Sequence, residues 1–369
     1  DMIFRTLYKS GEQKNAGPYA RLKFAMDYWC ALWFWPIDKA ELLPTRSEFI
    51  ADMYLILEGT IETFKGVSES VKMGQISFLP TEFEQLVMNI NELYSGMGIV
   101  DIPKLCQQQP RLALVKEIAD KQKFMHWELE FADLFAERGG FDLILGNPPW
   151  IKAKWNEQAV LSDIQPLFAV KKFSAPQIDL LRVKIMENTD QKDLYISEYV
   201  ESSGLLNYLN TITNFPDLKG VQTNLYKCFI PKAWELCNER GISALIHPDG
   251  VFDDSNGSML RKKIYPKLRK HFHFINERLL FAEVGHPEVF SLNIYSNEHT
   301  ESFEVISNLF EPRTIDECYN DSCNTQAVSG IKDENNNWNI RGHKDRRILI
   351  TQKELNIFAT LFDDAELYE

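Results

Sequence analysis

The stretch that most constrains this chain is Phe141-Asp142-Leu143-Ile144-Leu145-Gly146-Asn147-Pro148-Pro149-Trp150. Phe141 to Leu145 form a short apolar run of the kind found in buried parallel strands, and a Gly-Asn-Pro-Pro-aromatic turn stops it abruptly. Open α/β sheets bind ligands at the carboxyl ends of their strands, which makes this turn a candidate active-site loop. A primary amine conjugated to an aromatic ring or a carbonyl is a poor nucleophile because its lone pair is delocalised. Two acceptors aimed at its two N–H groups draw the nitrogen toward tetrahedral geometry and free that pair. The Asn147 side-chain oxygen supplies one acceptor and the Pro148 carbonyl the other, while successive prolines hold the loop in one conformation. Trp150 supplies a flat ring on which a planar substrate can stack, worth roughly 1–3 kcal/mol for a base. The same four residues also make an ordinary strand-ending turn, so the rest of the chain has to decide.

With 369 residues, 44% of them hydrophobic and 12% aromatic, the chain is long enough for two or three domains with a substantial core. No run approaches the roughly 18–20 apolar residues of a membrane span, and Asp1 to Lys14 lack a signal-peptide pattern. A cytoplasmic location without membrane attachment is expected. Fifty-three acidic against forty basic residues leave a net charge of −13, the wrong sign for a chain that coats nucleic acid. Contact with phosphates therefore has to use a local groove. The six cysteines show no paired zinc spacing and are read as free thiols, and Asp249, Asp253 and Asp254 lack the Glu-x-Lys partner of a metal nuclease. No metal is expected.

Along the chain, Leu22, Ala25, Met26, Trp29, Leu32 and Trp33 recur at helical spacing between Arg21 and Trp35, and Pro36 ends the run. Trp29, Trp33 and Trp35 are read as core rather than as a stacking platform. Further helical stretches are expected within 38–72, from Glu82 to Tyr94 and from Arg111 to Phe124, so residues 1–120 read as a mainly helical insertion or subdomain. Apolar alternation over Trp127, Leu129 and Phe131 predicts an extended segment, and His126 is read as a packing or hydrogen-bonding residue. Residues 156–218 read as an insertion of mixed helix and loop.

From Asn224 the pattern becomes a helix to Glu239 capped by Gly241, a strand from Ile242 to Ile246, and a break at His247-Pro248-Asp249-Gly250. A basic helix follows from Met259 to Arg269, then strands from His271 to Arg278 and from Val289 to Tyr295. This alternation predicts an α/β sheet within residues 121–300. Residues 301–369, with the Asn335–Asn337 loop, read as a polar linker and the start of a further domain. Lys152 and Lys154, near the loop, are candidate phosphate contacts. So is the stretch Arg261, Lys262, Lys263, Lys267, Arg269, Lys270, His271 and His273. A solvated face explains either group equally well.

Taken in order, Trp127-Glu128-Leu129-Glu130-Phe131, Gly146-Asn147-Pro148-Pro149-Trp150, Asn224-Leu225-Tyr226, Ile246-His247-Pro248, Leu260-Arg261 and Phe290-Ser291-Leu292 resemble the catalytic half of large DNA adenine-N6 methyltransferases of the restriction-modification or phage-defence type. The similarity covers about residues 120–300, and the segment from Trp29 to Pro36 resembles the insertion such enzymes carry before their catalytic loop. The resemblance implies a partial class I methyltransferase-like (Rossmann-like) doubly wound sheet with a mainly helical insertion. It also implies S-adenosylmethionine as cofactor and double-stranded DNA as partner, together with other restriction or defence subunits or the remaining part of the same enzyme. Carried over, Asn147 and the Pro148 carbonyl hold the amine of a flipped adenine, Pro149 stiffens the loop, Trp150 stacks on the base, and Asn147 borders the methionine part of the cofactor. Lys152, Lys154, Arg261, Lys262 and Lys263 become the candidate DNA contacts.

Family members carry a Gly-rich cofactor loop after an early strand. Ser95-Gly96-Met97-Gly98 lacks the flanking strand and helix, so that loop is expected upstream of Asp1, and the chain is read as a fragment. Similar loops also serve methylation of RNA bases and of protein glutamine. A non-catalytic fragment that binds DNA or a partner is the third reading.

Overall fold

The computed structural model describes residues 17–58, 101–171, 173–221, 224–320 and 330–362. The chain divides into two compact units, Asp1–Glu130 with Trp155–Leu205, and Phe131–Lys154 with Leu206–Glu369.

The described residues of the first unit are helical. Helix α1 (Pro18–Ala31) begins on a proline, whose fixed φ suits the first helical position and whose missing N–H has no partner there in any case. Helices α2 (Arg46–Glu58), α3 (Ile102–Gln108) and α4 (Pro110–Gln122) follow. The Asp101 carboxylate caps α3 by accepting the Lys104 N–H at 3.2 Å, and Lys123 closes α4 in the left-handed region at φ 54°. Phe24, Tyr28, Ile56, Leu105, Leu112 and Val115 interlock in the core. Each such side chain contributes about 1.5–3 kcal/mol by leaving water.

Several polar groups buried with them are paired. The Tyr28 hydroxyl donates to Asp52 at 2.8 Å, and Arg111 donates to Asp52 at 3.2 Å and to Glu48 at 2.7 Å. His126 sits 2.8 Å from Asp27, the hydrogen-bonding role expected of it. Burial pushes the Tyr28 hydroxyl and the Asp52 carboxyl above their ordinary values. After residue 155 come α5 (Ala175–Met186) and α6 (Thr189–Asn210), with Leu161 and Ile185 at the centre of a small core.

Three local readings change. The helix read from Arg21 to Trp35 gives way at Leu32–Phe34 to a 3₁₀ turn. Trp35 is buried and donates to the Lys39 carbonyl at 2.9 Å, whereas Trp29 is 47% exposed and is not core. Trp127–Glu130 is a helical turn, not an extended segment, because the Leu129 and Glu130 N–H groups both bond the His126 carbonyl, at 3.0 and 2.9 Å. The helices expected at 59–72 and from Glu82 to Tyr94 lie outside the described residues.

The second unit is built on a six-stranded sheet: β1 (Phe141–Gly146), β2 (Cys237–Pro248), β3 (Leu268–Ile275), β4 (Val289–Ser296), β5 (Ser302–Leu309) and β6 (Ile348–Thr351), in the order β1-β2-β4-β3-β5-β6. β1 runs parallel to β2 and β3 to β5, and the other neighbours are antiparallel. Helices α7 (Leu225–Leu236), α8 (Ser258–Ile264), α9 (Arg313–Tyr319) and α10 (Gln352–Phe362) cover it. On one face Tyr226, Ile230, Trp234, Leu260, Ile264 and Leu355 pack against Leu245 and Tyr295. On the other, Phe272, Phe274, Phe290 and Ile306 pack with Cys318 of α9. Apolar residues on both faces of β2 and β3 are what a doubly covered sheet requires.

Two glycines bring the chain into β1. Gly139, at φ +74°, ends the short helix Ala132–Arg138. Gly140, at φ +142°, passes so close to the α7–β2 junction that a Cβ would lie 2.6 Å from the Leu236 carbonyl oxygen.

The parallel sense of β1 follows the sequence reading, but its burial does not: Leu143 is 55% and Leu145 70% exposed. β1 is the terminal strand of the described sheet, so β2 pairs with it on one side only, and Phe131 and Phe135 pack on Phe141 at its start. Gly241 is not a helix cap but lies inside β2, which begins already at Cys237. Residues 302–309 and 348–351, read as linker and further domain, instead extend the same sheet, because Phe303, Ile306 and Leu309 bury beside β3.

Candidate active site

The 147–150 loop leaves β1 at its carboxyl end, where the register pairs Gly146 with Leu245 of parallel β2. The two strand ends therefore lie side by side, one ending in Asn147-Pro148-Pro149-Trp150 and the other in Pro248-Asp249-Gly250. Asn147 and Pro149 are exposed and Pro148 is buried. Trp150 is half-buried: its indole N–H donates to the Ile246 carbonyl at 3.3 Å, and its ring packs edge-on against Phe281 at 5.0 Å and tilted against Phe290 at 5.7 Å. A ring fixed at its N–H and flanked by two phenyl groups cannot turn freely. Any flat ligand has to meet the part of the indole that remains open.

The chain beyond Trp150 is pinned as well. Ile151 accepts the Leu225 N–H at 3.0 Å and Lys152 forms a bridge with Asn224, which joins the loop to the start of α7. Lys152 and Lys154 are exposed.

The basic stretch does not form one face. Lys262 and Lys263 are exposed, but Arg261 is only 3% exposed and donates to the backbone carbonyls of Asp254 at 2.5 Å and Val251 at 3.4 Å. Arg261 is a buried cross-brace and not a DNA contact, because α8 turns its apolar face, Leu260 and Ile264, into the core and takes Arg261 with it. Lys270 and Arg269 lie near Glu304 and Glu298, at 3.7 and 3.6 Å. His271 and His273 turn toward Asp249, at 3.8 and 3.5 Å, rather than outward.

Asp249 is the feature that sequence reading missed. It lines a cavity of about 1010 Å³ at the carboxyl end of β2, together with Asn224, Tyr226, Lys227, Asp253 and Glu288. Lys227 and Asp254 form a pair at 2.5 Å; burial works to raise the Asp254 carboxyl, and Lys227 outweighs it and holds the group below the usual range. Behind Asp249 lies a chain of buried polar groups: His271 to Asn293 at 2.7 Å, Asn293 to His247 at 2.9 Å, and His247 to the Tyr295 hydroxyl at 3.0 Å. Burial lowers His247 to about 4 and also lowers His271. The signal was present in the strands, since His247, Ser291, Asn293, His271 and His273 stand at every second position between apolar residues.

Among the described residues no set of His, Cys, Asp or Glu could hold a metal ion, and no helix is long and apolar enough to cross a membrane. Ser95–Gly98, the nearest Gly-rich stretch, lies outside the described residues.

Residues 81–215, which include the 147–150 loop, match the family model described as Eco57I restriction-modification methylase. No curated protein matches the chain. Among solved structures, the ATP-dependent Type ISP restriction-modification enzyme LlaBIII bound to DNA is 9% identical with a TM-score of 0.25, over 54% of this chain and 11% of that one. A DrdV–DNA complex is 14% identical with a TM-score of 0.27, over 54% of this chain and 16% of that one. The methyltransferase subunit of a type I restriction-modification system from Streptococcus thermophilus is 12% identical with a TM-score of 0.28, over 100% of this chain and 96% of that one. At such TM-scores the superpositions carry no argument. The chain thus spans only 11% and 16% of the length of the first two. The mixed α/β architecture, with its six-stranded sheet covered by helices, is consistent with a class I (Rossmann-like) methyltransferase-like fold, and over residues 81–215 the chain is similar to restriction-modification methylases.

Proposed function

We propose that this chain is the target-amine part of an S-adenosylmethionine-dependent DNA adenine-N6 methyltransferase of restriction-modification or phage-defence type. The observation that carries the reading is the 147–150 loop itself, placed at the carboxyl end of a parallel strand beside a second strand end, with Trp150 locked to Ile246. The match of the surrounding residues to restriction-modification methylases supports it. Double-stranded DNA is the partner on this reading, and Lys152, Lys154, Lys262 and Lys263 are the exposed cations available to its phosphates.

The exposed Asn147 carboxamide and the Pro148 carbonyl accept the two N–H groups of the flipped adenine's amine, and the open part of Trp150 supports the ring. Because the loop is clamped before the base arrives, little reorganisation accompanies attack, and positioning supplies most of the acceleration. The described residues fit the cofactor at one edge only, the Asn147 side chain; a Gly-rich strand-to-helix turn is lacking among them. When bound, S-adenosylmethionine supplies the electrophilic methyl group.

The test is methyl transfer to adenine-containing duplex DNA. Asn147→Ala should lower it on the order of a hundredfold or more while leaving the fold intact, because Asn147 is exposed. Full activity in that variant would overturn the mechanism.

A further inference from the structure

The turn between β3 and β4, residues 276–288, reaches the candidate loop through one side chain. Most of the turn is exposed, but Phe281 points inward, edge-on to Trp150 at 5.0 Å and to Phe290 at 4.9 Å. An exposed turn that delivers a ring to a fixed place needs an internal anchor, and Asn276 provides it.

Asn276 is fully buried. Its Nδ2 donates to the carbonyls of Phe281 at 2.9 Å, Val284 at 3.0 Å and Gly285 at 3.4 Å, and its Oδ1 accepts the Phe281 N–H at 3.0 Å. Carbonyls only accept and an N–H only donates, so the carboxamide can face one way only. The Asn276 backbone serves the same turn. Its N–H donates to the Glu288 carbonyl at 3.0 Å and closes the far end, and its carbonyl accepts the Leu279 N–H at 2.8 Å, which holds Leu279 in the left-handed region at φ 52°. One buried residue thus grips the Phe281 peptide at both its donor and its acceptor.

The neighbours of Trp150 are of two kinds. Ile246 and Phe290 stand on β2 and β4, and the ladder between those strands fixes them. Phe281 stands on the turn, where the Asn276 carboxamide holds its backbone. The indole N–H bond to Ile246, at 3.3 Å, fixes the ring at one atom and leaves it a swing about that atom. An aromatic edge set against it stops the swing, since edge-to-face pairs have a preferred geometry.

We infer that Asn276 is a positioning residue for the proposed reaction: through Phe281 it sets the tilt of the Trp150 indole, and so the plane on which the target base rests. Asn276 itself touches no substrate. The inference rests on Trp150 being the base platform of the reading above.

The test is fluorine NMR of the full chain labelled with 5-fluorotryptophan, in which each of the eight tryptophans contributes one signal and Trp150→Phe assigns that of Trp150. In Asn276→Ala the Trp150 signal should move by more than its line width, while those of Trp234 and Trp338 stay in place. Asn276→Ala combined with Phe281→Leu should move the Trp150 signal no further than Phe281→Leu does by itself. An amide that merely staples the turn would lower the melting temperature without moving Trp150, and that result overturns the inference, as does a further shift in the combined variant. Should Asn276→Ala fail to fold, Asn276→Asp keeps the shape and the acceptor, loses the donors, and is judged by the same shift. On adenine-containing duplex, Asn276→Ala should lower kcat on the order of tenfold and leave KM for DNA within about twofold, because the phosphates still hold the duplex and only the base is misplaced. A change confined to KM, or an unchanged kcat where Asn147→Ala abolishes transfer, also overturns the positioning role. A Trp150 signal that responds as stated, in a wild type that transfers no methyl group, removes the catalytic reading and leaves the link from Asn276 to Trp150 standing.

Discussion

The two units each bury a polar network, and the networks differ in one respect. In the helical unit Tyr28, Asp52, Arg111 and Glu48 satisfy one another across α1, α2 and α4, and Asp27 holds His126. In the sheet unit the chain from Tyr295 through His247, Asn293 and His271 ends at Asp249, where an oxygen is left without a partner beside a cavity. A closed network serves the fold, and an open one leaves a buried acceptor unmatched. The contrast predicts opposite responses to substitution.

The largest effect should come from breaking the closed network. Asp52→Ala strands the buried Tyr28 hydroxyl and removes one of the two carboxylates paired with Arg111, which keeps Glu48, at a cost of about 3–4 kcal/mol. Urea unfolding at neutral pH measures it. A loss below about 1 kcal/mol would mean that the helical network is no more structural than the other.

Acidification should strain the open network. His247 is held neutral, at about 4 against an ordinary 6.5, by burial, although the Pro248 carbonyl and the Asp249 charge favour its protonated form. The unfolded chain binds a proton at His247 between those values and the folded chain does not. Stability should therefore be full above pH 6.5 and fall as pH drops toward 4, by on the order of 3 kcal/mol across the window. Urea midpoints measured from pH 7 to pH 4.5 check the sign. A His247→Gln variant should flatten the profile, and a profile as steep as the wild type's would place the effect elsewhere.

Asp249→Asn, by contrast, should change stability at neutral pH by less than about 1 kcal/mol, because its buried Oδ1 makes no hydrogen bond to lose and its Oδ2 lies 3.8 and 3.5 Å from the two imidazoles. A loss as large as that of Asp52→Ala would show Asp249 to be a structural residue, and the comparison between the networks would fail.

What the sequence disclosed about these regions depended on periodicity. The α1 and α4 patterns and the Phe141–Gly146 strand with its abrupt turn were legible because local spacing alone distinguishes them. The place of residues 302–309 was not, since a strand that pairs in parallel with β3 leaves no short-range mark of its neighbour. Arg261 read as a surface cation because charge is visible in a sequence and the rotation of a helix over its core is not. Asn147 and Trp150 were singled out by a motif, whereas Asp249 stands out only when His271, His273 and Asn293 arrive from two other strands.

The smallest effect expected lies on β1, which carries the candidate loop yet is a terminal strand of the described sheet with exposed leucines. Leu145 is 70% exposed while Leu245 on β2 is buried, although the two strands are neighbours and Leu145 pairs with Ala244. Leu145→Ser should therefore shift stability by no more than about 0.5 kcal/mol, the range of ordinary surface substitutions. Leu245→Ala, which opens a cavity between α7 and the sheet, should cost about 2–5 kcal/mol. Unfolding of both variants under the same conditions decides the matter. A cost at Leu145 comparable to that at Leu245 would mean that the Leu145 face of β1 is covered in solution, and the loop that follows would then leave a strand held on both sides.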